Sequence, residues 1–285
     1  MATKIIVDSA CDLPKEILDK YDIEVLPFNI HIDNKSYKDG SEITVDELYN
    51  ALKKEKIPKT SQISPEDIKK IFNKNAEAGN DSIYISFSSK MSGAYQLANW
   101  IADEVKSEYN NTNIDVLDSK AGSVATGIIA YKAALLLKDG KSRDFIIEKI
   151  KFWADHIEHI FMLDDLQTLV RGGRISKTQS FIGNILNIKP ILYVNDGKIE
   201  LLQKARGTKK AINKMIGYLK DKSYNLKKQL IGVAHADDPE QAEILKEKIE
   251  ELGGEIFCIE KIGSVLGAHL GIGGIGVFFL NKKGS

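Results

Sequence analysis

Ser82-Ile-Tyr-Ile-Ser-Phe-Ser-Ser-Lys-Met-Ser-Gly93 decides how this 285-residue chain folds. Ser82 to Phe87 has the length and the β-branched and aromatic content of a buried strand. Ser88 to Gly93 is a turn, and the residues after it predict a helix to about Ser107. The same unit recurs on either side. Lys4 to Val7 reads as a strand ending at Asp8-Ser9. Ile114 to Leu117 reads as one ending at Asp118-Ser119, with a helix from about Ser123 to Gly140. Thr44-Val-Asp-Glu47 is a capping box that opens a helix to about Lys54. Ser64-Pro65 supplies an N-cap and a proline at the first helical position, and Gly79 ends that helix. Ile23 to Ile32 reads as one further extended stretch, and Lys59 to Ile63 as a polar link. Strands alternating with helices predict a three-layer α/β/α lobe on a parallel sheet. In such sheets ligands bind outside the carboxyl ends of the strands.

The pattern changes near His159. Ile160 to Leu163 reads as a strand, and Asp164 to Val170 as a short helix closed by Arg171-Gly-Gly-Arg174. Lys177 to Leu186 is amphipathic and leads into the strand Ile188 to Val194. Asn195-Asp196-Gly197 is a hairpin turn into Lys198 to Leu202. Helices follow at about Lys209–Lys220 and Pro239–Glu251, strands at Gln229–Ala234 and Glu255–Ile262. The chain then runs through a glycine-rich stretch to a strand at Gly276–Leu280. This predicts a two-layer α/β lobe with a mixed sheet. The expected division is residues 1–157 and 158–285, with no long linker, so the lobes should touch closely.

Composition bounds the function. Apolar residues make up 43% and charged residues 28%, as in soluble globular proteins. Lys plus Arg and Asp plus Glu are 40 each. With no basic excess, nucleic acids and membrane surfaces are disfavoured as partners. Cys11 and Cys258 are far apart with no CxxC spacing. They read as reduced thiols of a cytoplasmic protein. No signal-peptide h-region and no membrane-spanning run is read from the chain. A monomer is expected.

Three strand ends carry hydroxyls: Ser9, the Ser88/Ser89/Ser92 group, and Ser119. The turn before the helix at Gly93 also offers free backbone N–H groups and the positive end of the helix dipole, so an anion is favoured there. Taken alone, Ser92 reads first as a plain N-cap, and the anion reading gains from Ser9 and Ser119 at neighbouring strand ends. Thr60-Ser61 could reach the same cleft. Apart from Lys90 these loops carry no cation, whereas polyphosphates recruit Lys, Arg or Mg²⁺. A row of neutral hydroxyls suits one carboxylate better, and no GxxxxGK[ST] pattern occurs.

The remaining motifs are weaker. Gly271-Ile-Gly273-Gly-Ile-Gly276 matches GxGxxG, but a strand follows where a helix is required, so a dinucleotide site is rejected. His269 is framed by glycines and is either a satisfied structural residue or a donor to a carboxylate. His156 and His159 have the wrong spacing for HExxH and read as a solvated helix face; no metal site is predicted. Asp164-Asp165 and Asp237-Asp238 read as helix-start carboxylates. GxSxG is absent, and no catalytic residue is assigned. Arg171-Gly-Gly-Arg174 and Lys204-Ala-Arg206-Gly-Thr-Lys209-Lys210 are basic clusters, read either as solvated helix ends or as a docking surface.

Taken together these segments resemble the DegV family of bacterial fatty-acid-binding proteins. The resemblance is carried in order by Asp8-Ser9, Thr60-Ser61-Gln62-Ile-Ser64, Ser92-Gly-Ala-Tyr-Gln96 and Leu166 to Arg174. It continues through Asn187-Ile-Lys-Pro-Ile191, Arg206-Gly-Thr-Lys-Lys-Ala211 and Gly267-Ala-His269-Leu-Gly271. The family commonly has Pro where this chain has Ile63, and often Thr where it has Ala94; neither change removes a hydroxyl at Thr60 or Ser92. The resemblance implies two α/β lobes with a long-chain fatty acid such as palmitate between them and no cofactor. It implies ligand-binding roles for Thr60, Ser61, Ser92, Gly93, Ser119 and His269. It also implies a separate fatty-acid kinase that converts the bound carboxylate to an acyl phosphate for phospholipid synthesis, with Arg171 and Arg206 in docking or in a network. Phe181, Ile182, Ile185 and Leu186 are candidates for the tail pocket or for ordinary core. Two other classes are weighed: a hydrolase or transferase with His269 as general base, and a DNA-binding module, which zero net charge disfavours.

Overall fold

The computed structural model describes residues 2–176 and 187–283. The expected tail-pocket residues Phe181, Ile182, Ile185 and Leu186, and the amphipathic segment that carries them, lie outside the described residues. In the first lobe β1 (Thr3–Asp8) and β2 (Glu24–Leu26) pair in parallel. Next come β3 (Asn29–Ile32), β4 (Lys35–Lys38) and β5 (Lys59–Ser61), which form a separate antiparallel ribbon. Finally β6 (Asp81–Ser86) and β7 (Ile114–Asp118) complete a parallel sheet of order β2-β1-β6-β7. The helices of this lobe are α1 (Lys15–Lys20), α2 (Val45–Lys53), α3 (Pro65–Glu77), α4 (Ala94–Glu108), α5 (Val124–Lys138) and α6 (Arg143–His156).

Alternation along the strands builds the layers. Ile5, Val7, Ile83 and Ile85 pack on α5 and α6, while Ile6 and Tyr84 pack on α3 and α4. The helix starts are those the sequence signals. Glu47 N–H donates to Thr44 Oγ1 at 3.2 Å and Thr44 N–H to Glu47 at 2.8 Å, closing the capping box of α2. Asp67 N–H donates to Ser64 Oγ ahead of Pro65.

The second lobe contains β8 (Ile157–Met162), α7 (Gln167–Arg171), β9 (Ile188–Asn195), β10 (Lys198–Arg206), α8 (Thr208–Lys222), β11 (Ile231–His235), α9 (Pro239–Glu251), β12 (Ile256–Lys261), α10 (Ser264–Leu270) and β13 (Ile275–Leu280). Its sheet is mixed, of order β10-β9-β8-β13-β11-β12. One face packs on α8 and α9 through Ile160, Met162, Val233 and Val277. The other face, with Phe161, Leu163, Leu192 and Phe278, looks toward the first lobe. This is the expected mixed α/β class: a three-layer lobe on a parallel sheet beside a two-layer lobe on a mixed one.

Helix α5 is buried along most of its length and joins the lobes into one core layer with Ala234, Phe278 and Leu280. The hairpin tip docks on the first lobe as well. Asp196 and Gly197 both have positive φ, the two-residue turn that matches strand twist. Ser88 Oγ donates to Gly197 O at 2.7 Å, and Lys120 reaches Asp196 at 2.7 Å.

The structure corrects four readings. Ile23–Ile32 is two strands of different sheets, broken at Pro27-Phe28, because proline cannot continue a ladder. The polar link at Lys59–Ile63 contains β5, whose Thr60 pairs with Ile30. The glycine-rich segment contains the short helix α10. His156 and His159 do not share a solvated helix face: His156 ends α6, and His159 is buried in β8.

Candidate functional site

Burial sets the frame. Asp8, at the end of β1, is wholly buried and accepts from Phe87 N–H at 2.6 Å, from Ala10 N–H at 3.3 Å and from the Tyr84 hydroxyl at 3.0 Å. Burial raises its pKa to about 6 against those bonds. This ties the ends of β1 and β6 together and holds the turn that leads to Ser92.

Ribbon strand β5 and helix α10 meet at that turn. Thr60 Oγ1 and His269 Nε2 are 2.7 Å apart, linking residues 209 positions apart in sequence. Ser92 lies in the same cavity, whose walls also include Ser61, Gln62 and Arg174. The N-cap of α4 is Gly93, and Ser92 Oγ accepts from Ala94 N–H at 3.2 Å. Ser92 is therefore the residue before the N-cap, which corrects its reading as a plain N-cap, and its hydroxyl accepts within the turn. Gly93 carries no Cβ because one there would lie 2.8 Å from Gln62 Oε1.

Arg174 is the site residue that sequence reasoning did not assign. It was visible only as the second arginine of a basic cluster. Its Nε donates to Met91 O at 3.1 Å and one terminal nitrogen donates to Gly172 O at 2.5 Å. It is half-buried, and among the described residues no carboxylate pairs with it. The glycine pair of this motif has a steric role: a Cβ on Gly172 would sit 2.3 Å from His269 Nδ1. Burial, and secondarily the Arg174 cation, lower the His269 pKa to about 4. The imidazole is neutral at physiological pH.

Other expected residues are elsewhere. Ser119 is fully buried and closed into its own loop: Ala121 N–H donates to it, and it bonds Ala121 O and Thr126. Ser9 accepts from Phe28 N–H, and Ser88 holds the hairpin tip. Ser61 bonds His31 at 2.8 Å at the rim. Arg171 lines an open groove outside the mouth, together with Lys56, Lys59 and Arg174. Arg206 ends β10, exposed, and lines neither cavity nor groove. Of the acidic pairs, Asp238 caps α9 as expected, whereas Asp237 bridges the lobes through Lys53 and Lys261.

Behind the mouth the walls turn apolar. A second cavity shares Phe87, Met91, Ile199, Leu266 and Leu270 with the first. It lies between the lobes, with Phe161, Leu163, Phe278 and His159 among its lining residues. No helix among the described residues is long and apolar enough to cross a membrane.

Fold and site define a class: a two-lobed α/β protein with a polar-mouthed, apolar-walled space between its lobes. The chain belongs to the DegV family. The family model described as "Uncharacterised protein, DegV family" matches residues 2–282. A DegV domain-containing protein of Clostridium perfringens is 38% identical over 280 residues, 97% of this chain and 96% of that one. A solved structure described as fatty-acid binding of a DegV family protein from Thermus thermophilus superposes with a TM-score of 0.90. It has 27% identity and covers 98% of this chain and 99% of that chain. A stearic-acid-binding protein from Eubacterium ventriosum gives a TM-score of 0.89 at 28% identity, over 98% and 97% of the two chains.

Proposed function

We propose that this chain is a non-catalytic carrier of a long-chain fatty acid. The carboxylate sits among Thr60, Ser92 and Arg174, and the tail lies in the apolar cavity. The observation that carries this reading is Arg174, a half-buried guanidinium without a carboxylate partner among the described residues, placed where a polar mouth meets an apolar cavity. A desolvated cation in that position favours an anion, and a carboxylate matches its fork. The Nε2–H tautomer of His269 would donate to Thr60 Oγ1 and leave the Thr60 proton for the ligand. His269 is then a positioning residue. A tail of roughly fourteen methylenes contributes about 11 kcal/mol gross, and each hydrogen bond to the carboxylate about 1.5–3 kcal/mol. The tail supplies affinity and the mouth supplies orientation.

The carrier presents its carboxylate to a separate fatty-acid kinase. A carboxylate oxygen attacks the terminal phosphate of a nucleotide held by that partner, releasing nucleoside diphosphate and acyl phosphate for phospholipid synthesis. The groove outside the mouth supports this step: it is open, carries Lys56, Lys59 and Arg171, and exposes Ile57 and Ile272. In this reading the lobes are residues 1–157 and 158–285, and the protein is a cytoplasmic monomer.

One observation favours a second reading. Thr60 and His269 stand at nucleophile–base distance, as an acyl hydrolase would require. Two experiments separate the readings. Mass spectrometry of lipid extracted from the purified protein should find a long-chain fatty acid, and a chain that neither carries nor takes one up ends the carrier reading. Turnover of acyl esters or acyl phosphates by this chain alone would establish the hydrolase. Acyl phosphate formed only with the added kinase would establish presentation.

A further inference from the structure

The β9–β10 hairpin leaves its sheet before it ends. β9 pairs with β8 where Tyr193, Leu192 and Ile191 face Ile160, Phe161 and Met162, although β8 begins at Ile157. Beyond Tyr193 the ladder continues with β10 alone, Val194 on Ile199 and Asn195 on Lys198. A groove opens between β8 and this tip, lined by Ile157, Glu158, Tyr193, Val194, Asn195 and Asp196. Each side satisfies its own polar groups: Asn281 donates to Glu158 at 2.6 Å, and Tyr193 to Glu200 at 2.8 Å. Val194 belongs to two walls. It packs with Leu192 and Ile199 on the cleft face, and it lines both this groove and the apolar interlobe cavity. The groove shares no lining residue with the mouth. At the root of the tip a β-bulge at Leu202 interrupts the β9–β10 ladder, and bulges bend a strand.

What holds the tip lies across the cleft, on the first lobe. Ser88 Oγ donates to Gly197 O at 2.7 Å. Lys120 reaches Asp196 at 2.7 Å and Asp155 of α6 at 2.9 Å. Both aspartates are exposed, and ion pairs of that kind contribute little each. Together with one hydrogen bond they position the tip without locking it. We propose that the β9–β10 tip is a latch on a second opening of the interlobe cavity, closed by Ser88 and Lys120. Lifting it parts the wall at Val194, so that an acyl chain enters and leaves sideways instead of threading past Thr60 and Ser92. The proposal rests on the fatty-acid reading above.

The test is kinetic. A gate speeds entry and exit together and leaves their ratio unchanged, whereas loss of a ligand contact raises exit alone. Binding and release of cis-parinaric acid, a fluorescent fatty acid, are followed by stopped flow on delipidated protein. Lys120→Met and Ser88→Ala should each raise both rates about fivefold or more, with the dissociation constant changed less than about twofold. Asp196→Asn, which keeps a residue suited to the turn, replaces Ser88→Ala if that variant melts early. Ile128→Ala loosens the core shared by the lobes without touching the tip, and it should leave both rates within about twofold. Unchanged rates in either latch variant overturn the proposal. So do faster exit without faster entry, and an equal gain in Ile128→Ala. Protein that takes up no parinaric acid fails the underlying reading as well, whereas uptake at rates indifferent to the latch overturns this proposal alone.

Discussion

At the scale of single residues the mouth depends on three polar side chains and one absent side chain. Arg174→Ala removes the only cation of the inner mouth among the described residues and should weaken fatty-acid binding about tenfold or more in a displacement titration, with little change in melting temperature. Thr60→Ala and Ser92→Ala should each weaken loading less, because each removes one neutral donor. Unchanged loading in all three variants would remove these residues from the site. Gly172→Ala is a test of spacing. Its methyl would take the space of His269 Nδ1, so it should displace the ring, break the contact with Thr60 and lower loading, although it touches no ligand.

Two elements tie the lobes together and can be tested separately. Helix α5 lacks a polar face because one side packs on the parallel sheet and the other on the mixed sheet. Ile128 is buried in it, against Gly232 of β11. Ile128→Ala should cost about 2–5 kcal/mol, and calorimetry should still show one transition, because both lobes lose the same core. Two separated transitions would show that the lobes fold independently. The β9–β10 tip is a smaller tie. A Cβ on Gly197 would stand 2.5 Å from Ser88 Oγ, at a backbone angle that favours glycine. Gly197→Ala should therefore undock the tip and destabilise the protein by about 1–3 kcal/mol.

At the scale of the whole molecule, buried ionisable groups set the pH dependence of stability. Burial raises Asp8 to about 6, Asp12 to about 8 and Glu260 to about 7. These groups bind protons more tightly when folded. Their contribution is full below about pH 4 and is lost as pH rises through those values. His159 and His269, lowered to about 3 and about 4, act in the opposite sense. Their contribution is full above about pH 6.5 and is lost as pH falls toward those values. Chemical denaturation across pH should therefore show maximum stability on the acid side of neutral. Asp12→Asn should flatten the alkaline limb, and a variant with an unchanged alkaline limb would refute the assignment to Asp12.

Local signals were legible in the sequence wherever the cause is local. The capping box at Thr44, the Ser64-Pro65 start and the Asn195-Asp196-Gly197 turn each depend on a few adjacent atoms, and each stands where it was expected. The alternation of strands and helices likewise defined the α/β class. The polar ribbon strand at Thr60 escaped, because its pairing with Ile30 is set by neighbours distant in sequence. Hydroxyls at Ser9, Ser88 and Ser119 stand at the strand ends as read, yet only Ser92 of that set lines the mouth, because the others bond to local or opposing backbone and side chains. Charge misled in the same way: besides Lys90 the strand-end loops hold Lys120, which is paired with Asp155 and Asp196, and Arg174 arrives from the other lobe. By itself the sequence determined the main strands and helices, the class and the candidates at Thr60, Ser92 and His269. Only tertiary structure decided that they converge, that Arg174 joins them and that an apolar space lies behind them between the lobes, because each is a meeting of side chains that the chain separates by scores of residues.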